Sequence, residues 1–207
     1  MTELTGIKIC GLMSVQDAEY VNEFDVAFAG VVMFFPKSRR NVEPEKAREI
    51  VCALRAGIIP VAVMVEPSAE QIAEAVRCGF RYVQLHGSVD PRLIESAPVP
   101  VFKAFNVKDM DMYEKYSACK NIAGYVFDAA EPGSGKTFDW SELRSLPRDG
   151  RLVILAGGLT AENAAAAVGY LNPDAVDVSS GVENEDKTGK SKERIQAFVN
   201  SVRSADK

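Results

Sequence analysis

Short apolar runs recur along the whole chain, separated by stretches where apolar and charged residues repeat at helical spacing. The runs cover residues 7–12, 26–33, 59–65, 82–86, 99–106, 122–128, 152–157 and 175–180. Most are nearly continuous in apolar residues rather than alternating. That is the pattern of parallel strands covered on both faces, whereas a half-exposed antiparallel strand shows period two.

The intervening stretches carry recognisable helix starts. Ser14 with Asp17, Ser68 with Gln71 and Asp139 with Glu142 have capping-box spacing or a near variant of it. Pro44 and Pro91 stand where a first helical residue would, a position whose amide hydrogen has no helical partner. Thr160 is placed to cap a helix over 161–169, and 192–203 predicts a last helix. Eight strand–helix units in succession predict an α/β fold, a single-domain (β/α)8 TIM barrel of eight parallel strands. An open doubly wound sheet is the alternative that the pattern leaves standing. No Pro/Gly/Ser-rich linker divides the chain, so residues 1–207 read as one domain. The barrel makes a sharp demand: functional residues should cluster just after the strand C-termini.

Composition narrows the function classes. The 207 residues are 47% hydrophobic and carry a net charge of −5, with no basic face or long basic run of the kind that neutralises a nucleic-acid backbone. The one lysine-rich stretch, Lys187 to Lys192, reads as a solvated loop and helix start. No secretory signal is visible at the N-terminus. The longest apolar run, 26–35, is far short of the ~20 residues that span a bilayer. Cys10, Cys52, Cys78 and Cys119 are scattered and there is one histidine, so no metal site is expected, and reduced thiols in a cytoplasmic protein are.

The strand ends hold the candidate chemistry. Cys10 closes the first run; at a barrel mouth it could serve as a base, though a cysteine taken alone is more often a small buried hydrophobe. The loop after the second run contains Arg39 and Arg40, whose planar forks suit a carboxylate or phosphate, or which simply face solvent. His86 ends the fourth run before Gly87, with a functional and a structural reading evenly matched. Asp128 ends the sixth, as a general acid or as a loop cap. Gly157 with Gly158 and Ser180 with Gly181 end the last two runs, where barrels often receive phosphate on backbone amides; two tight turns are the plainer account. Ala130 to Thr137 reads A-x-x-x-x-G-K-T, a relaxed phosphate-loop pattern, but Phe138-Asp139 separate it from the helix that a nucleotide-binding loop enters directly.

Taken in order, KICG, K-S-x-R-x-V, QLHG, GSGKTFDW, AGGL and DVSSGVE span positions 8 to 183. This ordered set resembles the phosphoribosylanthranilate isomerases. The resemblance implies an Amadori rearrangement of a phosphorylated aminosugar in tryptophan biosynthesis, with Asp128 as the acid, Cys10 as the base and no cofactor. It implies that Arg40 engages the anthranilate carboxylate and that Gly157, Gly158, Ser180 and Gly181 hold the phosphate. His86 and Asp177 become substrate-binding residues without a specified role. Association with other tryptophan-pathway enzymes is left open.

The chain departs from the family pattern in three places. Arg39 stands where proline is usual, Pro132-Gly133 where two glycines are usual, and Lys190-Ser191 where an acid usually follows the lysine. Three other functions compete. The sister isomerase of histidine biosynthesis would be expected to carry an aspartate at position 10, a silent phosphate sensor would need neither Cys10 nor Asp128, and a nucleotide-binding protein would use Gly135-Lys136-Thr137.

Overall fold

The computed structural model describes residues 4–106, 112–128 and 149–206. Nine parallel strands are present among them: β1 (Gly6–Cys10), β2 (Phe28–Met33), β3 (Asn41–Val42), β4 (Ile59–Val65), β5 (Tyr82–His86), β6 (Val101–Asn106), β7 (Ile122–Asp128), β8 (Leu152–Leu155) and β9 (Ala175–Val178). Eight of them run round the barrel in chain order. β1 pairs with both β2 and β9, which closes the ring and removes the open-sheet alternative. β3 is a two-residue addition beside β2 that the apolar pattern does not reveal.

The described helices are α1 (Val15–Asn22), α2 (Pro44–Ala53), α3 (Ala69–Arg77), α4 (Pro91–Ser96), α5 (Tyr113–Ser117), α6 (Ala164–Leu171) and α7 (Lys192–Ala205). Their starts follow the local chemistry. Ser14 accepts from the Asp17 amide, Ser68 and Gln71 form a complete capping box, and Pro44 and Pro91 sit in the first helical positions. The expected cap at Thr160 is a correction. Residues 161–163 form a turn, Asn163 precedes the helix, and Asn163 Oδ1 accepts from the Thr160 amide instead of Thr160 capping the helix. The start read at Asp139 and Glu142 lies outside the described residues. No helix among the described residues is long and apolar enough to cross a membrane.

Strand alternation divides the core in two. One set of side chains, including Ile7, Ile9, Val31, Val83 and Phe127, packs outward beneath the helices. The other set, Phe28, Val61, Phe102, Ala104, Val126, Ile154, Ala156 and Ala175, fills the barrel. Phe28, Tyr82 and Phe102 close its lower end, with ring centroids 4.8–6.2 Å apart. Continuing each inward row towards the strand C-terminus passes from these apolar layers to Lys8, Gln84 and Asp177, and then to Cys10, His86 and Asp128. The same two-residue period that builds the core therefore aims the polar groups at one end.

Candidate active site

The C-terminal mouth of the barrel opens into a cavity of about 870 Å³. Every residue singled out from the sequence lines it: Cys10, Arg40, His86, Asp128, Gly157, Gly158, Asp177, Ser180 and Gly181. The A-x-x-x-x-G-K-T pattern at 130–137 and the Pro132-Gly133 departure lie outside the described residues.

Cys10 is the last residue of β1 and only 9% exposed. Register places it opposite Gly30, where an added Cβ would stand 2.9 Å from the thiol. Burial pushes the Cys10 thiol above its ordinary range; Lys8 pulls it down, Asp177 pushes up again, and Lys190 opposes. One strand-step below, Lys8 is in register with Asp177 and fully buried, with its ammonium 2.9 Å from Asp177 Oδ2. The other oxygen, Oδ1, is buried and has no hydrogen-bond partner among the described residues. In a cavity wall such an acceptor is an opening for a ligand hydroxyl or amine. Asp128 ends β7 half-buried, opposite Asn106.

His86 and Gln84 share an inward row, and Gln84 Nε2 lies 2.8 Å from His86 Nε2. The contact suits a neutral imidazole, with Nε2 accepting from the Gln84 amide or, with that amide turned over, donating to it. Burial, then Lys103 and Lys8, bring the His86 pKa down to about 4. The folded chain therefore binds this proton only near pH 4, whereas the unfolded chain binds it below an ordinary value of about 6.5. The stabilisation is complete above the unfolded value and is lost as pH falls towards 4, to a total of up to about 3 kcal/mol. Urea midpoints at pH 7.5 and pH 5 should fall further apart for the parent chain than for His86→Asn. Equal pH sensitivity in both would mean that His86 titrates normally in the fold.

The rim above Cys10 is built from charge. Asn41 Oδ1 accepts from the Phe35 amide at 2.7 Å, and β3 pins the far end of the β2 loop. Both Arg39 and Arg40 then reach Glu183, Arg40 Nε at 2.6 Å from Oε1 and Arg39 on Oε2. Arg39 also donates to the Lys187 carbonyl. Glu183 is itself buried; desolvation alone would raise its pKa, but Arg40, Lys190 and Arg39 together hold it below the usual carboxylate range. Lys190 lies 3.6 Å from Glu183 and donates to the Ser179 carbonyl at 3.1 Å. Burial draws its ammonium down to about 8 against the opposing pull of Glu183. Three cations thus converge on one carboxylate, an arrangement that favours a second anion beside them. The Arg40 stem crosses the turn after β1: a Cβ on Gly11, whose φ is +75°, would meet Arg40 Cδ at 2.5 Å.

Beside this cluster the rim is built from glycine turns: Gly157 and Gly158 have φ of +89° and +65°, which turns the chain sharply after β8. The Ser180–Val182 turn of 3-10 helix follows β9, and a Cβ on Gly181 would lie 2.2 Å from the Leu159 carbonyl oxygen. The two turns are therefore in direct contact, as a shared anion site requires.

One sequence reading changes at the site. The Lys187–Lys192 stretch is not uniformly solvated, because the Lys190 side chain is fully buried. Lys8, Gln84 and Glu183 lie within the sequence motifs, yet the motifs alone assign them no role; the first two are legible as polar residues interrupting apolar strands. Lys190 enters the sequence reading only as the lysine of the last-helix pattern, and nothing in its local spacing signals its burial.

A family model described as N-(5'-phosphoribosyl)anthranilate (PRA) isomerase matches residues 7–201. The chain belongs to the N-(5'-phosphoribosyl)anthranilate isomerase family. It is 38% identical over 205 residues to the N-(5'-phosphoribosyl)anthranilate isomerase of Moorella thermoacetica, covering 97% of this chain and 90% of that one. To the Bacillus cereus isomerase it is 37% identical over 213 residues, covering 97% and 100%. The crystal structure of the Thermotoga maritima isomerase superposes with a TM-score of 0.88 at 34% identity, covering 97% and 100%. A further solved isomerase, in complex with reduced 1-(o-carboxyphenylamino)-1-deoxyribulose 5-phosphate, has a TM-score of 0.83 at 32% identity, covering 97% and 100%. This full-length match makes the chain an isomerase of tryptophan biosynthesis on the TIM-barrel fold that the family shares.

Proposed function

We propose that this chain, acting as a single-domain enzyme in the cytoplasm, converts N-(5'-phosphoribosyl)anthranilate to 1-(2-carboxyphenylamino)-1-deoxyribulose 5-phosphate with the residues of this cavity. Asp128 protonates the furanose ring oxygen, and the nitrogen lone pair expels it from C1, giving an open-chain iminium. Cys10, as its thiolate, removes the C2 proton; the electron pair moves into C1–C2 and quenches the iminium, giving an enolamine. Proton return to C1 and loss of the C2 hydroxyl proton give the ketone. The iminium is its own electron sink, so the reaction calls for no cofactor.

The observation that carries the reading is the common cavity of Cys10 and Asp128, which also takes in the Arg40–Glu183 cluster and the glycine turns after β8 and β9. A substrate that carries both a carboxylate and a phosphate fits a cavity lined by arginines and by free turn amides. Arg40 takes the carboxylate, Gly157, Gly158, Ser180 and Gly181 take the phosphate, and Asp177 and His86 hold the sugar between them. The cytoplasmic location is supported by four free cysteines.

The test is loss of phosphoribosylanthranilate fluorescence, with the substrate generated in situ and the histidine-pathway aminoaldose assayed in parallel. Turnover of the first at least ~100-fold faster than of the second is expected, the scale on which unsatisfied polar contacts reject a wrong substrate. The reverse preference would assign the chain to the sister reaction. In the same assay Arg40→Met should raise KM about tenfold or more by removing a charge-assisted bond, with a smaller effect from Arg39→Met, which leaves Arg40 on Glu183. If Arg39→Met proves the costlier change, the carboxylate contact belongs to Arg39.

A further inference from the structure

We propose that Lys8 is a positioning residue of this reaction: its buried ammonium, fixed by Asp177, faces the Cys10 sulfur and stabilises the thiolate as it forms. The inference rests on the reading of Cys10 as the base, and it assigns a task to a residue which that reading leaves without one.

A lysine inside a barrel is costly unless its charge is used. Lys8 is fully buried, and the alternation of β1 sends its side chain into the barrel on the same row as Cys10. Asp177 fixes its position from the neighbouring strand at 2.9 Å. An ammonium has three donors, and this contact engages one of them. The Lys8 ammonium and the Cys10 sulfur also approach a common point: the Cβ position above Gly30 lies 3.1 Å from Lys8 Nζ and 2.9 Å from Cys10 Sγ. Any side chain at position 30 would enter that gap. Glycine there leaves the cation and the thiol facing each other.

The charged groups around the sulfur are Lys8 from its own strand, Asp177 from β9, Lys190 from the segment before α7, and Arg40 over Gly11. Desolvation is the largest influence on the thiol and opposes ionisation; Lys8 is the largest influence that favours it. The coupling is reciprocal, since Asp177 and Cys10 together outweigh the burial that would otherwise lower the Lys8 pKa. Forming the thiolate therefore converts a Lys8–Asp177 pair with one idle side into a three-membered cluster in which the lysine serves both anions. A role limited to filling the barrel would need the ion pair but not the open face above Gly30.

The experiment reads the thiol directly. Cys52 is exposed, so the intact chain carries Cys52→Ser. The rate of Cys10 alkylation by iodoacetamide is then followed against pH by mass spectrometry of the Cys10 peptide. Lys8→Met is expected to raise the midpoint by at least about one pH unit, the scale of losing an opposite charge within ~4–6 Å. The acidic limb of kcat/KM should move with it. Lys8→Arg keeps the charge and should recover at least half of the shift; an arginine variant displaced as far as the methionine variant would overturn the proposal.

Lys8→Met leaves Asp177 buried and unpaired and could fail to fold. The charge-free pair Lys8→Met/Asp177→Asn then decides the matter, and its midpoint should also rise, because the lost cation outweighs the lost carboxylate. An unmoved midpoint in whichever of these variants folds overturns the proposal. Turnover of Cys10→Ser separates this from the underlying reading. If that variant is inactive while the midpoint ignores Lys8, only the task assigned to Lys8 fails. If it is active, Cys10 is not the base, and the positioning role of Lys8 falls with it.

Discussion

Serine in place of Cys10 is expected to lower kcat by at least ~100-fold, the ordinary contribution of a positioned acid or base. The substitution keeps the shape of a side chain that is only 9% exposed, so little stability should be lost. What changes is the acidity: a hydroxyl at this position barely ionises at neutral pH, while a thiol with a cation beside it can. Asp128→Asn should cost as much, because an amide accepts the ring oxygen's geometry but has no proton to give. The two groups act in one turnover, so the double variant should fall well short of the product of the single losses. Single-turnover and steady-state rates on purified, folded variants supply the check. Near-normal turnover in either single variant would remove that residue from the mechanism.

Which parts of this site the sequence reveals follows from how each part is held. Inward rows of a parallel barrel are read from continuous apolar runs, because both faces of every strand are covered; the eight apolar runs accordingly coincide with all eight barrel strands. Their ends are less sharp. The run over 152–157 stops as a strand at Leu155, since the left-handed glycines 157 and 158 turn the chain away, and apolarity alone does not register a backbone turn. The β2 loop shows no apolar signal for β3, because two residues, of which only Val42 enters the core, are too few to form an apolar run. Thr160 has the right residue type for a cap, but Asn163 supplies the local hydrogen bond and the helix begins three residues later than expected.

The chemistry divides in the same way. Cys10 and Asp128 are conspicuous because the barrel rule gives meaning to any reactive group at a strand end. Composition alone favours a buried, inert cysteine; the structure keeps it buried and adds a neighbouring cation. Lys190 is the opposite case. Its burial depends on Glu183, and its backbone is fixed by Asp17, whose Oδ1 accepts from the Lys190 amide at 2.7 Å across 173 positions. A contact of that range leaves no trace in local spacing, and a lysine between glycine and serine reads as solvent-exposed. Arg39, where the family usually has proline, is explained only by its partners: it reaches Glu183 and Lys187 and ties the β2 loop to the β9 loop. A side chain thus spans two loops at the position where proline would act only on the backbone.

Alanine at position 181 is expected to weaken binding of the reduced product analogue at least about tenfold, or ~1.4 kcal/mol, while an analogue without the phosphate loses little. The cause is steric and local. No left-handed backbone is required at Gly181, so alanine is conformationally permitted there, but its Cβ would stand 2.2 Å from the Leu159 carbonyl oxygen. That neighbour is backbone, with no flexible end to swing aside, so one turn must move away from the other. The turns follow β8 and β9, which pair through Ile154 with Ala175 and Leu155 with Val176, so the strands beneath them cannot follow the displacement. The change is therefore confined to the rim, where the amides of both turns would face one phosphate. Gly158→Val reaches the same rim by another route, since a φ of +65° is strained for a β-branched residue. Each variant alone should spare the binding of the dephosphorylated analogue, and the two together should cost less than the sum of their separate losses, because both act on one ligand group. Calorimetric titration with the two analogues across the four proteins makes the comparison. Full additivity, or equal losses for both analogues, would mean that the turns serve separate purposes and that the phosphate is held elsewhere.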